Sequence, residues 1–140
     1  MKLLTLDIVS AEQTVFSGQA AMVIVSGTLG ELGIMPGHSP LLTSVKPGHI
    51  RIKASDGAES LFYVSGGMLE VQPYVVTLMA DTVLRAEDID EAAALEAQEK
   101  ALEAMKTADK AGMDKNLMLA QMAESSAMLR VIKELQKLRH

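Results

Sequence analysis

The chain has 140 residues, a net charge of −5 and no cysteine, which excludes a disulfide framework and thiolate chemistry and argues against nucleic-acid binding, where concentrated Lys and Arg are needed. Hydrophobic residues make up 49% and aromatics only 3%, with ten methionines filling the space instead, so one domain or two small ones can form, packed partly by small and flexible side chains. The start Met-Lys-Leu-Leu-Thr-Leu-Asp lacks a secretory h-region and no stretch approaches the ~20 apolar residues of a membrane span, so membrane association is expected only through a partner.

The first 86 residues read as β-structure. Leu4, Leu6 and Ile8 alternate with Thr5 and Asp7, and Ile50 and Ile52 alternate with Arg51 and Lys53, each giving one dry face and one wet face. The run Ala21-Met-Val-Ile-Val25 is continuously apolar, as in a strand covered on both sides. Leu61 to Val64, Met68 to Val71 and Val75 to Ala80 follow at short intervals, joined by Gly66-Gly67 and Gln72-Pro73-Tyr74; Ser55-Asp56-Gly57 precedes them. Those connections are turn chemistry. Between them, residues 27–48 hold glycines at 27, 30, 33, 37 and 48 and prolines at 36, 40 and 47, which reads as short strands joined by tight turns. Two packed antiparallel sheets are expected.

Chemistry is scarce in this half. There is no phosphate-loop or dinucleotide fingerprint. His38, His49 and His140 have no second ligand at metal spacing, and Ser39 and Ser65 have no His-Asp constellation, so turn or surface roles are expected for all five. Glu31, between two glycines, reads from its neighbours as a solvated carboxylate at a turn tip.

Near Ala86 the periodicity becomes helical, and charge changes with it. Residues 87–114 carry 9 acidic against 3 basic side chains, whereas residues 115–140 carry 2 against 5. Domains of 1–86 and 87–140 are therefore expected. Asp88 and Glu91 fit a capping arrangement for a first helix that runs to about Lys110 and stops at Gly112. Asp114 is the expected cap of a second helix reaching roughly Leu138, the two forming a hairpin. Ala94, Ala97, Ala101, Ala104 and Ala108 fall at spacings of a helical seam, opposite Met118, Met122, Ser125, Leu129 and Ile132. At about 0.8 kcal/mol per buried CH₂, an alanine seam is weak, so the hairpin is expected to be able to open. Arg130, Lys133 and Lys137, with Arg139 beyond, form a basic stripe on the second helix, either solvated or suited to an acidic protein surface.

Gly-Glu-Leu-Gly-Ile-Met-Pro-Gly-His-Ser-Pro-Leu-Leu-Thr at residues 30–43 closely resembles the epsilon subunit of the F-type rotary ATP synthase of bacteria and chloroplasts. Asp7-Ile8-Val9-Ser10, Val15-Phe16-Ser17-Gly18, Gly66-Gly67-Met68-Leu69-Glu70-Val71 and Val76-Thr77-Leu78-Met79-Ala80-Asp81 extend the resemblance over nearly the whole chain. It implies an α+β, two-domain protein, with a β-sandwich of about ten strands followed by a two-helix hairpin. It also implies a non-catalytic role in the central stalk, with the gamma subunit, the c-subunit ring and the alpha/beta catalytic hexamer as partners. The complete hairpin points to the bacterial type, at the cytoplasmic face of the plasma membrane. By the same resemblance, Gly30, Glu31, Leu32 and Gly33 face the ring and His38 lies near gamma. Arg130, Lys133 and Lys137 would then meet the beta subunit when the helices swing up and block hydrolysis.

In members that bind ATP, the first helix begins with Ile/Leu-Asp-x-x-Arg-Ala. Ile89 and Asp90 match that start, but Ala93 stands where the arginine belongs, and no other arginine occurs in the first helix. Without a guanidinium for phosphate, tight ATP binding is not expected, and no cofactor is assigned. The alternative is a stand-alone β-sandwich binding module with a helical dimerisation hairpin.

Overall fold

The computed structural model describes residues 2–111 and 115–139, and the side chains of 2–106 and 116–138. The chain divides into two compact units, Met1–Arg85 and Ala86–His140. In the first, nine strands follow in order among the described residues: β1 (Leu4–Val9), β2 (Thr14–Ala20), β3 (Met22–Gly27), β4 (Gly30–Ile34), β5 (Leu41–Lys53), β6 (Glu59–Val64), β7 (Gly67–Val71), β8 (Val75–Ala80) and β9 (Val83–Arg85).

The strands make a sandwich of two layers joined through β5. One layer runs β2-β1-β8-β7 and ends on the first half of β5; the other comprises β4, β3, the second half of β5, β6 and β9. This explains nine strands where about ten were expected. Leu41–Val45 pairs with β7, and Gly48–Lys53 pairs with β6. Lys46 and Pro47 fall between these two ladders, so the N–H that proline lacks is missed by neither, and one strand serves both layers. The expectation of purely antiparallel sheets also needs correction. β1 pairs with β8 in parallel, Thr5 opposite Val75 through Val9 opposite Met79. A parallel pair needs a long crossover, and here all of β2 to β7 supplies it.

The alternating patterns fill the interior as their period requires. Leu4, Leu6 and Ile8 from β1 meet Val23 and Val25, Ile50 and Ile52, Phe62 and Val64, Leu69 and Val71, and Val76 and Leu78, all buried. Phe16 packs edge-on against Phe62 with ring centroids 6.0 Å apart, the arrangement that aromatic quadrupoles favour. Arg85 lies over the same Phe62 ring, 5.2 Å from its centroid, tying the short β9 to the strand it pairs with. Strands β2 and β9 carry weak apolar patterns, and periodicity alone did not reveal them.

In the second unit, a 3-10 turn at Ala86–Asp88 leads into α1 (Glu91–Ala111) and α2 (Lys115–Arg139). The expected cap, Asp88, sits in that 3-10 turn. Asp90 is the capping residue instead: its Oδ1 accepts from Ala93 N at 3.0 Å, and its carbonyl accepts from Ala94 N at 3.0 Å. The 3-10 turn uses Asp88 and so delays the helix by two residues. The expected stop at Gly112 and cap at Asp114 lie outside the described residues, as does His140, and the side chain at seam position Ala108 lies outside the described side chains.

The seam is rotated from the all-alanine one. Ala94 and Ala101 are buried and Ala104 half-buried, but Ala97 is exposed, and Gln98 and Met105 are half-buried in its place. The polar Gln98 is drawn in because its Nε2 donates to Ser126 Oγ at 3.0 Å, a cross-helix bond that Ala97 cannot make. Met118 and Ser125 are buried on α2, with Met122, Leu129 and Ile132 half-buried. Ser125 satisfies its hydroxyl within its own helix, donating to the carbonyls of Gln121 and Met122 at 3.1 Å. Leu95 and Leu102 on α1 remain 45% exposed, so α1 contributes little buried area.

Gly67 tests the joint between the layers. Its φ is +154°, and a Cβ there would come within 1.9 Å of the Met79 carbonyl oxygen, in the backbone of paired β8. Gly67→Ala is expected to lower unfolding stability by about 3 kcal/mol or more. Gly57→Ala, at φ +89° with nothing within 4 Å, should cost only about 1 kcal/mol; urea unfolding of both compares them. Asp90→Ala should destabilise α1 by about 1 kcal/mol, read as faster amide exchange in its first turn.

Candidate protein-interaction surfaces

The first surface is the tip of the β3–β4 hairpin. Gly27 pairs with Gly30 and Ser26 with Glu31, leaving Thr28 and Leu29 as a two-residue turn. Gly30 has φ +128°, a conformation that turn geometry asks of glycine. Leu29 projects fully into solvent, Glu31 and Gly33 are exposed, and Leu32 turns inward to pack on the core. Glu31 is not a free carboxylate: its Oε2 lies 3.3 Å from His49 Nε2 on β5. Sequence spacing did not connect these two, because the strand between them, β3, sets the distance.

His38 lies past the other end of β4. Its backbone N donates to Met35 O at 3.1 Å, and its Nδ1 is 2.7 Å from the Ser39 carbonyl oxygen. Gly37 N donates to Pro73 O at 2.6 Å, fastening this turn to the β7–β8 turn. Met35 and Tyr74 are exposed beside that bond. The structure therefore places Glu31 and His38 at opposite ends of β4, as parts of two surfaces.

The His38 end continues into an open sheet face that sequence reading did not single out. Leu42 pairs with Glu70, Glu70 with Thr77, and Met68 with Met79, so Leu42, Met68, Val75 and Met79 share one side of the first layer. All four are exposed. The signal was present in the sequence: β7 and β8 carry apolar residues on both parities, where a solvated outer face would carry polar ones. Apolar side chains gathered on one flat face mark a protein-interaction surface.

The third surface is a groove in the helical hairpin, about 410 Å³, where the start of α1 faces the end of α2. Glu91, Leu95 and Gln98 line it from α1, and Ser126, Leu129, Arg130 and Lys133 from α2. Arg130 and Lys133 are exposed and border this groove. Lys137 lies apart and pairs with Glu134 at 3.6 Å. Ile89 is half-buried, and Asp90 is committed to the helix cap. Ala93 carries no charge and Glu91 lines the groove, so α1 brings no cation to it; the groove's cations, Arg130 and Lys133, both come from α2. Among the described residues no group of His, Asp and Glu is arranged to hold a metal ion.

Comparison with known proteins agrees with this architecture. A family model described as the ATP synthase delta/epsilon chain beta-sandwich domain matches residues 3–86. The ATP synthase epsilon chain of Nitrosococcus oceani is 51% identical over 132 residues, covering 94% of this chain and 93% of that one. Among solved structures, a chain of the Euglena gracilis mitochondrial ATP synthase (OSCP/F1/c-ring, rotational state 1) superposes with a TM-score of 0.75 at 19% identity, over 100% of this chain and 83% of that one. A chain of the Tetrahymena thermophila mitochondrial ATP synthase central stalk and c-ring gives 0.52 at 11% identity, over 61% and 68%. These two likenesses carry the fold. The matched sandwich and the near-complete alignment at half identity make this chain a member of the ATP synthase delta/epsilon chain family.

Proposed function

We propose that the chain is a non-catalytic rotor subunit of a proton-translocating ATP synthase, coupling rotation of the c-ring and gamma to ATP synthesis. The observation that carries this reading is the open apolar face of Leu42, Met68, Val75 and Met79 on a sandwich of this family. Such a face suits a long-lived protein partner, and gamma is the one assigned to it, with His38 and its turn at the margin. The hairpin tip of Gly30, Glu31, Leu32 and Gly33 is assigned to the c-ring. No described helix is long and apolar enough to cross a membrane; attachment to the cytoplasmic face of a bacterial plasma membrane is assigned to the complex as a whole.

The helical unit is proposed as the inhibitory arm. Its seam is thin, since alanines and a Gln98–Ser126 hydrogen bond hold what leucines would hold more strongly. An arm held weakly can exchange a folded-back position for an extended one at low free-energy cost. In the extended position Arg130, Lys133 and Lys137 would meet acidic side chains of the beta subunit, where charge pairs orient docking. Nucleotide is not assigned a regulatory role, because Ala93 stands where the ATP-binding members carry an arginine.

Co-purification with gamma and the alpha/beta hexamer is the expected outcome of affinity capture; self-association alone would favour the dimerisation-module alternative. Introducing lysine at Met68 and Met79 together should weaken binding to gamma at least about tenfold, measured by surface plasmon resonance. Removing residues 87–140 should leave assembly intact and raise ATP hydrolysis by the complex, and Arg130, Lys133 and Lys137 changed together to alanine should raise it in part. Titration calorimetry of the isolated chain with ATP should show no micromolar binding.

A further inference from the structure

We infer that His49 is a positioning residue for Glu31: it fixes the direction in which the β3–β4 hairpin presents its carboxylate to the partner. The inference rests on the proposal that this hairpin tip docks on the c-ring. Glu31 and His49 belong to strands that do not touch each other, since β4 and β5 both flank β3. Between them stands Ser26, the register partner of Glu31. A bulge between Val25 and Gly27 interrupts the β3–β5 ladder there, and His49 N donates to Ser26 Oγ at 3.4 Å. Gly48 makes the arrangement possible, because a Cβ on residue 48 would lie 2.7 Å from Ser26 Oγ. With so small a residue in the middle, the imidazole bridges the strand and reaches the carboxylate.

The two ends of this contact differ in a way that suggests direction. The His49 side chain is 17% exposed and that of Glu31 57%. The ring is thus held by its surroundings, and the carboxylate is what is presented. Nε2 is screened from water and lies 3.3 Å from Glu31 Oε2, off the line of a hydrogen bond. A screened ring nitrogen gains from a nearby carboxylate oxygen, so the ring biases Glu31 toward rotamers that keep it close. Other charged and titratable groups sit along the same side of this layer by register. Arg51 and Lys53 follow His49 on β5, and Tyr63 and Glu59 lie on β6. Lys53 is engaged with Glu59 at 3.5 Å, and Arg51 is one row further from the tip, opposite Ile24. His49 is the residue in the Ser26–Glu31 row.

A double-mutant cycle in the assembled enzyme tests this. Full-length chains carrying Glu31→Ala, His49→Leu, both changes, or His49→Gln are titrated onto ATP synthase stripped of this subunit, and the dissociation constants compared. His49→Leu should weaken binding about threefold, the double variant should bind no worse than Glu31→Ala alone, and His49→Gln, which keeps an N–H donor, should recover most of the loss. Additive losses, or an unchanged constant for His49→Leu while Glu31→Ala weakens binding, would overturn the inference. No effect of Glu31→Ala would instead overturn the docking assignment itself, and this inference with it. A separate readout needs no partner and does not depend on the leucine variant folding. In the isolated chain, Glu31→Gln should shift the ¹⁵N resonance of His49 Nε2 from its wild-type position, and an unmoved resonance would show that the ring does not engage the carboxylate.

Discussion

One strand belongs to both layers of the sandwich, and the rest of the β-unit is arranged around that fact. β5 leaves its ladder with β7 at Val45 and enters its ladder with β6 at Gly48. Crossing from one layer to the other brings neighbouring backbone closer than a side chain allows. That is why Gly67, the partner of Val45, has the Met79 carbonyl where its Cβ would be. Gly48, just past the bend, leaves the same kind of room for Ser26. The proline between the ladders removes a donor where no acceptor waits.

The bend also decides what the two layers present. On one side of it, β5 delivers Leu42 to the open apolar face shared with β7 and β8. On the other, it delivers His49 to the row that ends at Glu31. A single covalent element therefore fixes the spacing between the surface assigned to gamma and the surface assigned to the ring. The proposed rotor role would use this property, because torque passed between two partners needs a connection that does not slip.

The two units are held by different means. The β-unit relies on large branched and aromatic side chains at zero or near-zero exposure, Leu4, Leu6, Ile8, Ile50, Phe62 and Leu78 among them. The helical unit buries mostly small side chains, Ala94, Ala101, Ser125 and Ala127, beside Met118 and Val131, so it offers less apolar area. It adds direction through polar contacts, the Asp90 cap and the Gln98–Ser126 bond. Hydrogen bonds of this kind specify register more than they add stability. A precise but shallow hold is what the arm proposed above would require.

The sequence by itself determined the two-part organisation, the strands with strict alternation, the tight turns and the pair of helices, because these depend on period and on residues a few positions apart. It also carried the family resemblance, through short motifs in fixed order. What it did not determine follows from the same reasoning. The shared strand, the parallel β1–β8 pair, the apolar outer face, the Asp90 cap in place of Asp88, the Gln98 rotation of the seam and the His49–Glu31 contact were decided only by tertiary structure. Pairing across a sheet joins residues far apart in the chain, as Thr5 with Val75 or Glu31 with His49. No local period encodes which strand will lie between two others, and that intervening strand sets every such distance.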